Sequence, residues 1–368
     1  MKMARILGWI ALAIPLAAVL ALVAGYWLSD NDCGNAAAPA VPMKAIVYCD
    51  YGTADVLRLE DVEKPVPGDD ELLVRVHAAG VNPLDWHYMR GTPYLMRLSS
   101  GLRKPQDTRL GVDYAGTVEA VGRNVTRFKP DDQVFGGRSG ALAQYVVVKQ
   151  DRAVALKPAN VSFEQAGAVA IAATTALQGL RDAGRLKAGD KVLINGASGG
   201  VGTFAVQIAR SIGAEVTGVC STRNVELVRS LGADHVIDYT RDDYTSTGVR
   251  YDVILDNVGN RSLAENRRVL EPDGRYVLIG GGGPEAGKWL GPMVKPLQAL
   301  VTAPFVSQDM GMFLAKLTRE DMLRLAELMS SGTVLPVIDR RYALSEAAAA
   351  IRYLEQGRAR GKVVVTLE

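Results

Sequence analysis

The sequence is poor in metal-binding and bridging residues. It has only three cysteines, Cys33, Cys49 and Cys220, and three histidines, His77, His87 and His235. The cysteines are far apart and form no CxxC pair, so a four-cysteine zinc lobe is excluded and a disulfide framework is not expected. An excess of one charge is also missing. The formal net charge is +2 and no basic stretch stands out, which leaves nucleic-acid binding without electrostatic support. Internal repeats and low-complexity tracts are absent. A last absence falls on residues 218–224, "GVCSTRN". They follow a glycine-rich turn, where an aspartate or glutamate is usual, and they contain neither.

The longest uncharged run is at the N-terminus. Residues 6–28, "ILGWIALAIPLAAVLALVAGYWL", carry no charge. As a helix they would measure about 34 Å, enough to cross a bilayer with some tilt. Trp9 lies near one end and Tyr26 and Trp27 at the other, as in an aromatic belt. The expectation is one transmembrane anchor at 6–28 and a linker over 29–42. Two alternatives stay open. Ala36-Ala37-Ala38 would suit cleavage of a signal peptide, whose apolar core is usually only about 7–15 residues; or translation starts at Met43. Lys2 and Arg5 precede the run and Asp30 and Asp32 follow it, so the positive-inside rule sends the following domain out of the cytoplasm.

From Met43 onward, short strand-like stretches are separated by turn signals such as Pro65-Val66-Pro67-Gly68. Glycines punctuate residues 111–148 in the manner of a compact β-barrel-like domain. The rhythm changes near residue 171. "KVLIN" (191–195) is a buried strand and "GASGGVG" (196–202) a turn. The next segment is an amphipathic helix, with Val201, Phe204, Ala205, Ile208 and Ile212 on one face and Thr203, Gln207 and Arg210 opposite. "AEVTGV", "DHVID", "YDVILD" and "GRYVLIG" supply further strands. Strands alternating with helices predict an α/β fold with a parallel sheet covered on both faces.

A glycine-rich turn between a buried strand and an amphipathic helix is the setting that dinucleotide binding requires. Gly196, Gly199, Gly200, Val201 and Gly202 would let backbone approach a pyrophosphate at the positive end of the helix. The missing acid now has a meaning. Ser221, Thr222 and Arg223 replace a group that would accept from a ribose 2′-OH and repel a 2′-phosphate. A guanidinium and hydroxyls donate to that phosphate, so the cofactor implied is NADP(H). The plainer alternative is that Ser-Thr-Arg-Asn caps the helix beginning near Asn224.

From residue 43 to 368 the chain resembles the medium-chain dehydrogenase/reductase superfamily, and within it the zinc-independent quinone oxidoreductase branch. The resemblance rests on "MKAIVY" (43–48), "AAGVNPLDWHYMRG" (78–91), "LGVDYAGTVEAVGRNVTRF" (110–128), "NGASGGVG" and "DNVGN" (256–260). It implies a GroES-like catalytic domain over 43–170, a Rossmann domain with a doubly wound sheet over 171–290, and a segment over 291–368 returning to the first. The active site would lie in the cleft between them. Zinc-dependent members carry a cysteine ligand where Asn82 stands and a histidine ligand where Val112 stands, and neither residue suits a tetrahedral zinc site. No metal is expected. Without a Lewis acid, hydride transfer from NADPH to a quinone or an α,β-unsaturated carbonyl is the chemistry implied.

By position, the resemblance puts Asn82 and Asp85 in the substrate-facing loop, where Asp85 either acts on substrate or holds the loop. His87 stands where related quinone reductases often carry a tyrosine, as a donor to the acceptor oxygen or as a structural residue; Tyr88 competes with it. Thr175 would line the nicotinamide pocket, Tyr239 would contact the adenosine phosphate, and Asn257 and Gly280 would lie near the nicotinamide ribose. The leading expectation is a membrane-anchored NADPH-dependent quinone or enone reductase, with a homodimer left open. The cofactor supply favours its cytoplasmic side. The alternatives are an alcohol dehydrogenase of the same superfamily and a non-catalytic NADPH-binding membrane scaffold.

Overall fold

The computed structural model describes residues 38–280 and 305–367 throughout, together with 23–27, 30, 31, 33, 287–289, 291 and 294–302. Most of the expected anchor, residues 6–22 and 28, lies outside the described residues. Residues 23–27 are helical, and among the described residues no helix is long and apolar enough to cross a membrane.

Strands β1 (Pro42–Val47) and β2 (Arg58–Glu63) pair antiparallel. Strands β3 (Glu71–Val81), β4 (Asp113–Val121), β5 (Gln133–Gly137), β6 (Tyr145–Lys149) and β7 (Val154–Leu156) belong to the first large sheet. Helices α1 (Pro83–Arg90) and α2 (Arg97–Ser100) lie between β3 and β4. Helix α3 (Ala170–Gln178) leads into the second sheet, made of β8 (Lys191–Asn195), β9 (Glu215–Cys220), β10 (His235–Asp238), β11 (Tyr251–Asp256), β12 (Leu270–Leu278) and β13 (Asp309–Met312). Helix α4 (Gly200–Ile212) follows β8. Finally β14 (Ile338–Ala343) and β15 (Lys362–Thr366) return to the first sheet, where the order is β14-β15-β3-β4-β5-β7, with β6 on β3.

The second sheet is parallel throughout, in the order β10-β9-β8-β11-β12-β13. That order reverses between β8 and β11, the switch point of a doubly wound sheet. Central strands buried on both faces should read as continuous apolar runs, and they do. Val192, Leu193 and Ile194 of β8 are fully buried, as are Val363, Val364 and Val365 of β15. A main core joins α3 and α4 to this sheet through Leu177, Phe204, Ile208 and Leu255. A second core fills the first sheet around Tyr114, Trp86, Met89 and Val365.

Four expectations need correction. The helix after the turn is wet on only part of its polar face, at Arg210. Thr203 and Gln207 are buried because the returning segment covers them, and Gln207 exchanges two hydrogen bonds with the Leu335 backbone. The parallel sheet does not stop at 290. Its sixth strand is β13, "DMGM", too short and glycine-interrupted to announce itself, so the returning segment begins after residue 312. Within the expected linker, the described residues Asp30, Asn31 and Cys33 are tied to the domain. Asn31 Nδ2 donates to the carbonyls of Cys49 (2.7 Å) and Pro105 (3.1 Å), and Asp30 pairs with Arg103 and Lys104. Lastly, Cys33 and Cys49 form a disulfide with Cα atoms 5.7 Å apart. Their separation in sequence hid this, because the pairing depends on Cys33 folding back beside the end of β1.

Candidate active site

The carboxyl ends of β8, β9 and β11 meet at the glycine-rich turn. Gly196 has φ 78°, a left-handed conformation that favours glycine. A Cβ at Gly202 would stand 2.1 Å from the Gly196 carbonyl oxygen, so only glycine lets the helix start this close to the strand. Gly199 is the N-cap of α4, and Gly200 and Val201 are half-buried in its first turn. The N–H groups of that turn have no helical carbonyl ahead of them and face an incoming anion. Beside the turn, Asn195 Nδ2 donates to Asp256 and Asn260, and Asn257 Nδ2 donates to the Asn195 carbonyl. The Oδ1 atoms of Asn257 and Asn224 are buried and accept no hydrogen bond among the described residues. A Cβ at Gly280 would meet the Asn257 carbonyl oxygen at 2.2 Å, which holds these two chain turns together. A glycine cradle and two orphaned buried oxygens fit a dinucleotide.

At the far end of the cradle, the residues after β9 do not act alike. Thr222 Oγ1 donates to Asp238 Oδ2 at 2.6 Å, so its proton is not available to a phosphate. Asp238, at the end of β10, is held ionised below the usual range, mainly by this bond from Thr222. Ser221 Oγ accepts from Asn224 Nδ2 at 3.2 Å, which leaves its own O–H to donate. Arg223 is exposed and gives Nη2 to the Arg358 carbonyl at 2.6 Å, which ties the ribose end to the returning segment. Tyr239 is 55% exposed beside them. Asn224 joins the two halves of the site by donating also to Ser198 Oγ at 2.9 Å.

On the catalytic-domain side, the chain leaves β3 at Asn82 and enters α1. Asn82 Oδ1 accepts from Lys362 Nζ at 2.5 Å, and the same ammonium lies 3.2 Å from Asp113 Oδ2. All three side chains are buried. Asp113 also accepts from the Ile171 backbone at 2.8 Å. Asp85 holds its own loop, accepting from the backbone N–H of Asn82 (2.7 Å) and of Gly111 (3.1 Å). Burial pushes its pKa up to about 7, with the Asp113 charge adding to the effect and the two N–H groups opposing it.

Next along α1, His87 Nδ1 sits 2.6 Å from the Thr92 carbonyl, a contact that needs the proton on Nδ1. The ring stacks on Trp86 at 3.7 Å, and burial lowers its pKa. A neutral His87 with its only proton on Thr92 has none for an acceptor. Thr175 Oγ1 donates to the Ile171 carbonyl at 2.7 Å, within its own helix. A cavity of about 760 Å³ opens between the catalytic domain and residues 315–317, lined by Asp85, Tyr88, Val112, Ile171 and Leu317 among others. Tyr88 lines it and His87 does not.

For a metal, the donor set is wrong. Asn82 already accepts from a lysine and Val112 has no donor atom, and among the described residues no three of His, Cys, Asp or Glu are grouped to hold an ion. Asp113 lies inside "LGVDYAG" and Asn224 ends "GVCSTRN", but neither stands out there, and Lys362 belongs to no motif. The one signal in the sequence is a lysine inside the apolar run "GKVVVTL".

Asp85 makes a pH prediction. Its folded-state pKa of about 7 lies above the unfolded value, so folding favours its neutral form. This contribution to stability is present at low pH and is lost as pH rises from about 4 toward 7. The stability difference between wild type and Asp85→Asn, read by urea denaturation, should therefore shrink over that range. A pH-independent difference would mean that Asp85 is ionised throughout.

Comparison with known proteins agrees with this geometry. Residues 68–159 match the family model described as alcohol dehydrogenase GroES-like domain, and residues 231–365 the one described as zinc-binding dehydrogenase. A 2-methylene-furan-3-one reductase of Solanum lycopersicum is 35% identical over 88% of this chain and 79% of its own length. An NADPH-dependent alkenal/one oxidoreductase of Arabidopsis thaliana, chloroplastic, is 34% identical, with 88% and 79% covered. The solved structure of the quinone oxidoreductase from Coxiella burnetii superposes with a TM-score of 0.76 at 30% identity, covering 89% of this chain and 100% of that one.

Proposed function

Because the chain belongs to the medium-chain dehydrogenase/reductase superfamily, in its zinc-independent quinone oxidoreductase and alkenal reductase branch, we propose that it reduces quinones or α,β-unsaturated carbonyls with NADPH and no metal ion. The observation that carries this reading is the buried Lys362–Asn82–Asp113 cluster, a fixed positive charge where zinc-dependent relatives place a ligand. An alcohol needs a Lewis acid to lose its proton, whereas a quinone or enone is electrophilic already.

The bound nicotinamide supplies the hydride; the chain binds, orients and shields. Gly196 to Gly202 hold the pyrophosphate at the start of α4. Ser221, Arg223 and Tyr239 receive the 2′-phosphate, which is what favours NADPH over NADH. Asn257 and Gly280 shape the nicotinamide ribose site, and Thr175, packed along α3, shapes the wall behind the ring. Asn82 and Asp85 act as positioning residues for the start of α1, the helix that carries Tyr88. Tyr88 holds the proton that the acceptor oxygen takes up. The balance for a quinone is one hydride and one proton in, hydroquinone and NADP⁺ out.

Tyr88→Phe should lower kcat by about tenfold or more with NADPH affinity unchanged, the scale of a lost proton donor. His87→Gln should change kcat by less than about threefold. Steady-state kinetics with a benzoquinone read both, and the opposite pattern would return the donor role to His87.

The reading includes a membrane anchor at 6–28. Cofactor supply favours a cytoplasmic catalytic domain, while the Cys33–Cys49 bridge, a bond of oxidising compartments, sides with the charges around the run.

A further inference from the structure

The point where the N-terminal segment meets the catalytic domain is also the rim of the cavity. The helical stretch 23–27 lies on Leu102: a Cβ at Gly25 would stand 3.1 Å from Leu102 Cδ1. Three residues after Trp27, Asp30 pairs with Arg103 at 3.3 Å and Lys104 at 3.0 Å. Asn31 donates to the Pro105 carbonyl at 3.1 Å, and Cys33 is bonded to Cys49. The described end of the apolar run and the residues just after it therefore meet the domain at residues 102–105. The residues on either side of this stretch, Ser99 and Ser100 before it and Gln106 and Asp107 after it, line the cavity.

Near this stretch several large apolar side chains are exposed among the described residues. Leu95 is 50% exposed, Leu98 59%, Trp27 69% and Trp289 76%. Trp289 is part of this surface, because Tyr94 packs edge-on against its ring at 5.3 Å and donates its backbone N–H to the Lys288 carbonyl. Lys288 is exposed next to it. Leucines and tryptophans with a lysine at the edge are the composition of a surface that lies in the headgroup region of a bilayer.

We infer that the rim formed by residues 94–105 and Trp289 rests in the membrane interface, and that the cavity takes a quinone whose long apolar tail stays in the bilayer. This rests on the reading of 6–28 as an anchor and of the acceptor as a quinone. A chain tied within a few residues of a bilayer-spanning run cannot hold its rim far from the lipid surface. A ring presented at that surface then enters the cavity past Ser99 and Ser100, with its tail lying along Leu95 and Leu98.

The test uses the full chain reconstituted in lipid nanodiscs. A nitroxide on Leu98→Cys should collide more with oxygen than with a water-soluble nickel chelate, and a nitroxide on Lys187→Cys should do the reverse. The double variant Leu95→Asp/Leu98→Asp should slow reduction of a long-chain quinone held in the bilayer by roughly tenfold, while a short water-soluble quinone keeps its rate within about twofold. A water-exposed nitroxide at Leu98→Cys overturns the docking. An equal effect of the double variant on both quinones, or on neither, overturns the entry route and leaves the reductase reading standing. If the wild type reduces neither quinone, the reductase reading falls and the entry route with it, and the nitroxide still decides whether the rim docks.

Discussion

Lys362→Met should lower the melting temperature by roughly 6–15 °C, the consequence of losing about 3–5 kcal/mol when one member of a buried pair is removed. Lys362 and Asp113 are both buried, and the ammonium also holds Asn82 Oδ1. Without it, the Asp113 carboxylate stays in the core with a single backbone donor, Ile171 N–H. Removing the charge at both positions is a milder change than removing it at one. Lys362→Met/Asp113→Asn should therefore recover at least half of the loss, as read by differential scanning calorimetry. The consequences reach the cofactor site, since the Lys362 stem lies 3.3 Å from where a Cβ on Gly200 would be, and Gly361 N–H donates to the Ser198 carbonyl at 2.9 Å. A single variant as stable as wild type would mean that the cluster is no structural joint.

The second large effect concerns cofactor choice. Wild-type protein should bind NADPH about tenfold tighter than NADH or better, and Arg223→Ala should narrow the gap by about 1–2 kcal/mol, the loss of a charge-assisted hydrogen bond. Arg223 is the residue to change because the other donors are restricted. Thr222 gives its proton to Asp238, and Ser221 contributes a single neutral O–H. The guanidinium has five N–H donors and gives one nitrogen to the Arg358 carbonyl, which leaves donors for a phosphate. Asp238 opposes the phosphate, so Asp238→Asn should widen the preference. Fluorescence titration with both cofactors measures each gap. Equal wild-type affinities would remove the role given to Ser221 and Arg223.

The parts of this molecule that could be read from sequence are those set by local pattern. The buried strand, glycine turn and helix over 191–212 follow from composition and periodicity alone, and so does the parallel sheet. The missing acid at 221–223 was legible because it is a local exchange of one charge for another. The parts that could not be read depend on distant residues meeting. Lys362 lies 280 residues from Asn82, and only the pairing of β15 with β3 brings them together. The acid that does come beside Thr222, Asp238, arrives from the neighbouring strand β10 rather than from β9. By position His87 could be a donor or a structural residue, and what bears on the choice is the carbonyl five residues ahead, which faces its Nδ1. Gly91 and Pro93 mark the end of the helix, but nothing local says that the Thr92 carbonyl will meet the His87 ring.

The central claim is hydride transfer from NADPH to an electrophilic acceptor without a metal ion. It is tested most directly by following NADPH oxidation by the purified full chain with a panel of quinones, enones and simple alcohol–ketone pairs, before and after exhaustive chelation, with metal content measured on the same sample. The account predicts turnover with quinones or enones that is unchanged by chelation, none with the alcohol–ketone pairs, and no stoichiometric zinc. One tightly held zinc per chain, with activity lost on its removal, would contradict it, and so would a protein that binds NADPH and turns over none of these acceptors.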